Sequence, residues 1–187
     1  MAPEARREAI TNYRQASLRG REAAVLALFY PDQSGQARLL LIKRPTYPGV
    51  HSDQIAFPGG KRESGDPDLL ATALRETREE VGVAPESIRY LRRLSPLYIP
   101  PSNFTVSPFV GMAQEPPVFR LQPSEVAALV EVPLAEVLDD AARSSRRLST
   151  SYARQVEVPV FLFGDQVVWG ATAMVLNELK TLLLQSF

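Results

Sequence analysis

The pattern of apolar and polar positions changes period several times along this chain, and each change predicts an element. Residues 23–30 read AAVLALFY, a continuous apolar run that suits a buried strand. Residues 31–36, PDQSGQ, have turn chemistry, and residues 37–43, ARLLLIK, are the partner strand of a hairpin. After a loop and a short strand ending near Phe57, the period becomes helical. At about 100° per residue, Leu70, Leu74, Thr77 and Val81 fall on one stripe, while Glu76, Glu79 and Glu80 fall on another. Pro67 suits the first turn, Asp66 and Asp68 complement the helix dipole, and Gly82 followed by Pro85 is a stop signal.

Further along, residues 87–97 predict a strand with a basic edge at Arg89, Arg92 and Arg93. Residues 98–111 are a Pro-stiffened loop running into a strand. Val126, Leu129, Val130 and Val132 predict a buried strand, with a short helix from about Pro133. Residues 156–163, VEVPVFLF, form a strand in which Pro159 marks an edge or bulge, and a turn at Gly164-Asp165 makes a second hairpin with 166–169. Residues 169–187 are an amphipathic helix with Met174, Leu179 and Leu183 on its apolar stripe and Trp169 in the core. Residues 3–18 predict a short polar helix anchored by Ile10, Tyr13 and Leu18. With no repeat and no composition break, residues 1–187 read as a single domain, of which about 1–20 form a helical extension.

Composition narrows the function. The 21 basic residues balance the 21 acidic ones, so no global field favours nucleic acid or an anionic membrane, and a small-molecule partner is expected. No cysteine is present, which excludes disulfides, thiol catalysis and cysteine-ligated zinc. The first residues are charged without an apolar centre, unlike a signal peptide, and no apolar run is long enough to span a bilayer. The expectation is a soluble, cytoplasmic protein.

Candidate chemistry concentrates on the acidic stripe. Carboxylates at i, i+3 and i+4 repel one another by tenths of a kcal/mol per pair on a bare helix. A hard divalent cation such as Mg²⁺ converts that repulsion into attraction and keeps water positions free for phosphates. An acidic face neutralised by Arg75 and Arg78 is the ordinary alternative, but the Gly59-Gly60 pair just upstream allows a ligand or ion close backbone approach.

Gly60, Arg75, Glu76, Glu79, Glu80 and Gly82 together resemble the signature of the Nudix hydrolases. Asp66 stands where that signature has its first Glu, and eight residues rather than seven separate it from Arg75. The run from His51 through Gln54, Ile55, Ala56, Phe57 and Pro58 to Gly60 is similar to the coenzyme A pyrophosphatase branch, as are Arg44, the segment Ser102–Pro108 and the residues VVWGATA at 167–173. Gly49, Asp53 and Asn103 depart from the branch pattern. The likeness covers most of the chain from about residue 37.

The resemblance implies an α/β fold, the Nudix α/β/α sandwich around a mixed sheet. It implies Mg²⁺ or Mn²⁺ held by Glu76, Glu79, Glu80 and the Gly60 carbonyl, with Arg75 orienting the carboxylates. Nudix enzymes often add a Glu from a loop facing the metal helix; Glu125 is the candidate, with Glu131 and Glu115 behind it. The general base is then Glu79 or Glu125. Arg44, His51, Phe57, Lys61 and Ser102 are candidate substrate contacts, with Phe104 reading equally as core. Arg143, Arg146 and Arg147, in a polar stretch that reads otherwise as solvated loop, could hold a 3′-phosphate through guanidinium contacts. The implied reaction is cleavage of coenzyme A to 4′-phosphopantetheine and 3′,5′-ADP. The alternatives are another nucleoside diphosphate derivative (ADP-ribose, NADH or a dinucleoside polyphosphate) and a non-catalytic nucleotide-binding regulator.

Overall fold

The computed structural model describes residues 20–46, 53–148 and 155–185; the predicted N-terminal helix and His51 lie outside these. Strands β1 (Arg21–Pro31) and β2 (Ala37–Lys43) form the expected hairpin. Asp32 closes its turn by accepting the Ser34 and Gln36 N–H groups, and Gly35 supplies a φ of +81°. The short strands β3 (Ile55–Ala56) and β4 (Gly59–Lys61) follow, then helix α1 (Leu69–Val81). Beyond it come β5 (Ile88–Arg93), β6 (Leu97–Ile99), β7 (Phe104–Ala113) and β8 (Ala128–Pro133). Helix α2 (Leu134–Leu138), β9 (Arg143–Leu148), β10 (Val156–Phe163), β11 (Gln166–Val168) and helix α3 (Gly170–Leu184) complete the order.

The main sheet is mixed. Its path runs β3-β2-β1-β7-β5, with β4 beside β1, β6 beside β7 and β8 beside β2; β1 and β7 are the parallel pair. The second sheet is β11-β10-β9. The unbroken apolar run of β1 has a simple cause: both faces of the strand are covered. Ala24, Leu26, Leu28 and Tyr30 pack with Ala73 and Val81 of α1, while Ala27 and Phe29 pack toward Phe161, Phe163 and Leu176 of the second sheet and α3. β2 divides likewise, Leu40 and Ile42 to one side, Leu39 and Leu41 to the other. The α/β/α layering expected from the sequence is the layering observed.

Several local expectations need correction. Pro67 stands outside α1, because Asp68 is the N-cap and accepts the Ala71 N–H at 2.8 Å. The predicted 87–97 strand is two pieces: β5, with a bulge between Tyr90 and Arg92, ends at Arg93, β6 begins at Leu97, and each pairs with β7. The 143–147 basic stretch is strand β9 rather than loop. At Pro159, β10 has a neighbour on one side only, since β11 pairs just with Phe161–Phe163. Met174 is 58% exposed and so is not on the buried stripe, and Trp169 is half-buried as the N-cap of α3.

One buried charge was not anticipated. Lys180 of α3 is fully buried, with Nζ 2.8 Å from Asp140 Oδ1, while Arg143 meets Asn177 one turn earlier on the helix. Together they tie the start of β9 to α3. Lys180→Met should leave the unfolding free energy within about 1 kcal/mol of the parent, since an apolar side chain of similar length needs no counter-ion. Asp140→Asn should lower the urea midpoint by stranding the ammonium, and adding Lys180→Met should restore it. The reverse order would show that the pair is not what holds this corner.

Candidate metal centre

Three pieces of backbone meet at the acidic helix: α1 itself, the β4 strand, and the connection between β7 and β8. Glu80 points inward and is only 2% exposed, with its carboxylate accepting the Gly59 N–H at 2.8 Å. Sequence reasoning placed this carboxylate on an exposed stripe. It is buried because β4 lies across the same face of the helix. Gly59 has φ +148°, and a Cβ there would lie 2.3 Å from the Ala24 carbonyl oxygen. Gly60 is required for another reason: its Cβ would lie 2.5 Å from Glu76 Cδ, so that carboxylate rests on bare backbone.

Glu125, exposed in the turn before β8, completes the group. Oxygens of Glu76, Glu80 and Glu125 all lie within 4.8 Å of one another. Burial raises the Glu76 carboxyl above its usual range, against the pull of Arg75. Burial likewise pushes Glu80 up to about 8, helped by repulsion from Glu76 and Glu125 and opposed by the Gly59 N–H and by Arg44. Hard oxygen donors converging on one point, two of them with their charge disfavoured by burial, fit a divalent cation. Glu79 is not part of this convergence; it lies half-exposed on the solvent side, 3.0 Å from Arg75 Nη1.

Arg75 is the hub of the network. Its Nε and Nη2 donate to the two oxygens of Asp66 at 2.9 Å each, Nη1 donates to Glu76 and Glu79, and Nη2 also reaches the Lys61 carbonyl. Asp66 is buried and further accepts the Glu63 N–H and the Thr72 hydroxyl. The Arg75 bonds hold the Asp66 carboxyl well below the usual range, and Asp66 in turn raises Arg75, so the pair stays fully charged. The sequence marked Asp66 as a complement to the helix dipole and as a departure from a motif. The departure itself was the available signal, because an acid shifted by one residue still reaches the same guanidinium.

The other candidates scatter. Arg44 donates to the Gly59 carbonyl at 3.3 Å and so braces the strand beneath Glu80. The Lys61 side chain is exposed on β4 next to the site. Phe57 is 2% exposed and belongs to the core, out of a ligand's reach. Ser102 accepts Arg21 through its carbonyl, and the Arg21 guanidinium covers Phe104 at 4.1 Å. Glu131 is engaged by the Tyr30 hydroxyl, while Glu115 lines a groove of about 540 Å³ beyond the C-terminus of α1. Arg143, Arg146 and Arg147 project from β9 of the second sheet, where Arg143 is engaged by Asn177. No helix of the described residues is long and apolar enough to cross a membrane.

Comparison with known proteins identifies the family. The NUDIX domain model matches residues 20–152. An uncharacterized Nudix hydrolase, NudL, of Yersinia enterocolitica is 36% identical over 148 residues, covering 75% of this chain and 71% of its own. The protein of the same description in Yersinia pestis is 35% identical over 175 residues, covering 91% and 83%. Among solved structures, the Nudix hydrolase RenU of M. smegmatis superposes with TM-score 0.60 at 19% identity, covering 88% of this chain and 86% of that one. A C. elegans Ap4A hydrolase superposes with TM-score 0.57 at 17% identity, covering 89% and 99%. With a family model spanning most of its length and relatives 36% and 35% identical over the aligned residues, the chain belongs to the Nudix hydrolase family.

Proposed function

We propose that this Nudix hydrolase cleaves the pyrophosphate bond of coenzyme A and its derivatives, giving 4′-phosphopantetheine and 3′,5′-ADP. The observation that carries the chemistry is the convergence of Glu76, Glu80 and Glu125 within 4.8 Å. A pyrophosphate is dense in negative charge, and attack by water adds more at phosphorus. Mg²⁺ or Mn²⁺ held by these carboxylates, with Glu79 and the Gly60 carbonyl as further proposed ligands, would supply the charge neutralisation and water activation that such a reaction needs. The chain's residues prepare the rest. Arg75, fixed by Asp66, orients Glu76 and Glu79. Glu125 or Glu79 takes the proton of the attacking water as its oxygen bonds to phosphorus. The bridging P–O bond breaks, and its electron pair leaves with the departing phosphate.

Choice of coenzyme A rests on the likeness of residues 51–60, 102–108 and 167–173 to that branch of the family. Arg143, Arg146 and Arg147 are the proposed contacts for its 3′-phosphate, and Arg44, Lys61 and Ser102 lie on the segments expected to face the substrate. The fold is shared with an Ap4A hydrolase, whose substrate needs no 3′-phosphate pocket. Turnover of coenzyme A against dephospho-coenzyme A therefore tests the substrate. Replacing Arg143, Arg146 and Arg147 together by Ala should raise KM for coenzyme A roughly tenfold, and for the dephospho form much less. Equal effects on both would remove the cluster from the site.

Glu80→Gln should lower metal-dependent product formation to below about a tenth of the parent, measured by chromatography of the nucleotide product. The chain should still fold, because the Gln carbonyl can accept the Gly59 N–H as Glu80 does.

The raised carboxyl of Glu80 also predicts a pH dependence. Unfolded, the group titrates near 4.5; folded without metal, near 8. Between these values the native state binds the extra proton, so the metal-free chain should gain stability as pH falls from about 8 toward 5. Metal competes with that proton, so Mg²⁺ affinity should rise over the same interval as pH increases, with proton release seen by calorimetry in buffers of different ionisation enthalpy. In Glu80→Gln both slopes should flatten. A metal-free melting temperature that climbs from pH 5 to 8 would contradict the assignment.

A further inference from the structure

Glu125 sits on an irregular connection and is itself exposed, yet its carboxylate meets two helix-borne ones within 4.8 Å. Apart from a turn at 123–125, the segment from Gln114 to Ala127 has no regular structure to hold it. Its position is imposed from outside. The last carbonyls of a helix lack partners within the helix. Here the connection fills two of them: the Arg120 N–H donates to the Val81 carbonyl, and the Gln122 N–H donates to the carbonyl of Glu80 itself, both at 2.9 Å. Gly82 permits this approach, since its φ is +78° and a Cβ would lie 2.8 Å from Arg120 Cβ. At the far end, the Ala127 N–H donates to the Lys43 carbonyl at 2.8 Å and Val126 is 2% exposed.

Backbone hydrogen bonds contribute little net against the entropy of ordering such a connection, so an apolar anchor is needed as well. Phe119 supplies it. Its half-buried ring meets the Tyr30 ring edge-on, with centroids 5.4 Å apart and planes at 78°. Tyr30 is a rigid support, 3% exposed on β1, with its hydroxyl donating to Glu131 of β8.

We propose that Phe119 is a positioning residue for Glu125: seated on Tyr30, its ring docks the connection onto the last turn of α1 and so sets the third carboxylate against Glu76 and Glu80. The proposal rests on the metal reading above. Its test is Mn²⁺ affinity of the full chain, measured by electron paramagnetic resonance. Phe119→Ala should weaken Mn²⁺ binding roughly tenfold, and Phe119→Leu should recover most of the loss. In a Glu125→Gln background, Phe119→Ala should cost less than about twofold more, because the ligand it positions is gone. If the alanine variant does not fold, Phe119→Val takes its place in the same cycle. An undiminished loss in the Glu125→Gln background, or affinity within about twofold of the parent for the single variant, overturns the proposal while leaving the metal site standing. A parent chain that binds no Mn²⁺ removes the metal reading and this proposal with it.

Discussion

Three carboxylates held within 4.8 Å of one another, one of them 2% exposed, are an arrangement that an isolated chain would disperse. Water would separate the charges, and desolvation penalises Glu76 and Glu80. The fold has to impose the convergence, and it does so through backbone more than through side-chain pairing. β4 lies antiparallel to β1, which is buried on both faces, so the position of Gly59 and Gly60 is fixed by the sheet. α1 packs on the same strand through Ala73 and Val81. The Glu80 carboxylate is thereby pressed against the Gly59 N–H, with neither group free to withdraw. The compensation built into the protein is partial: one backbone donor and the nearby Arg44 guanidinium oppose burial without cancelling it. That residual imbalance favours a proton or a cation at Glu80 over the bare carboxylate.

Arg75 plays a different part. A guanidinium beside three glutamates would ordinarily sit as their counter-ion and compete with a metal for them. Asp66 prevents this by taking the Nε–Nη2 edge of the fork in a bidentate pair, leaving only Nη1 for Glu76 and Glu79. Thr72 and the Glu63 N–H hold Asp66 in turn, so the hub is anchored to the first turn of α1 and to the loop before it. The longer spacing between Asp66 and Arg75 is absorbed in that loop, ahead of the Asp68 N-cap, which is why the carboxylates on the helix keep their register.

Periodicity made most of this fold legible. The hairpin, α1 with its Gly82 stop and the closing helix all follow from local patterns, because each is dictated by burial along a single element. The misreadings fall where burial depends on a partner that local pattern cannot name. Glu80 reads as a solvent-facing acid until β4 crosses its face of the helix. Met174 fits the apolar stripe of α3 but meets no neighbouring layer there. The arginines of 143–147 look like a solvated loop, yet pairing with β10 makes the stretch a strand. Lys180, within an apolar helix, gives no local sign that Asp140 will reach it.

Glu125 marks the far end of this scale, since a sequence can propose an acid in a loop but not where the loop will dock. The docking nevertheless has a physical logic. The third carboxylate of α1, Glu79, is held on the solvent side by Arg75 and does not converge with Glu76 and Glu80. A carboxylate on a separate connection can approach from across the helix end, closing the group from a third direction. Because the Gln122 N–H bonds to the carbonyl of Glu80, any fraying of the last helical turn displaces both acids at once. The two carboxylate-bearing segments are thus one mechanical unit, and the helix C-terminus, stabilised by Gly82 and capped by the connection, is the joint between them.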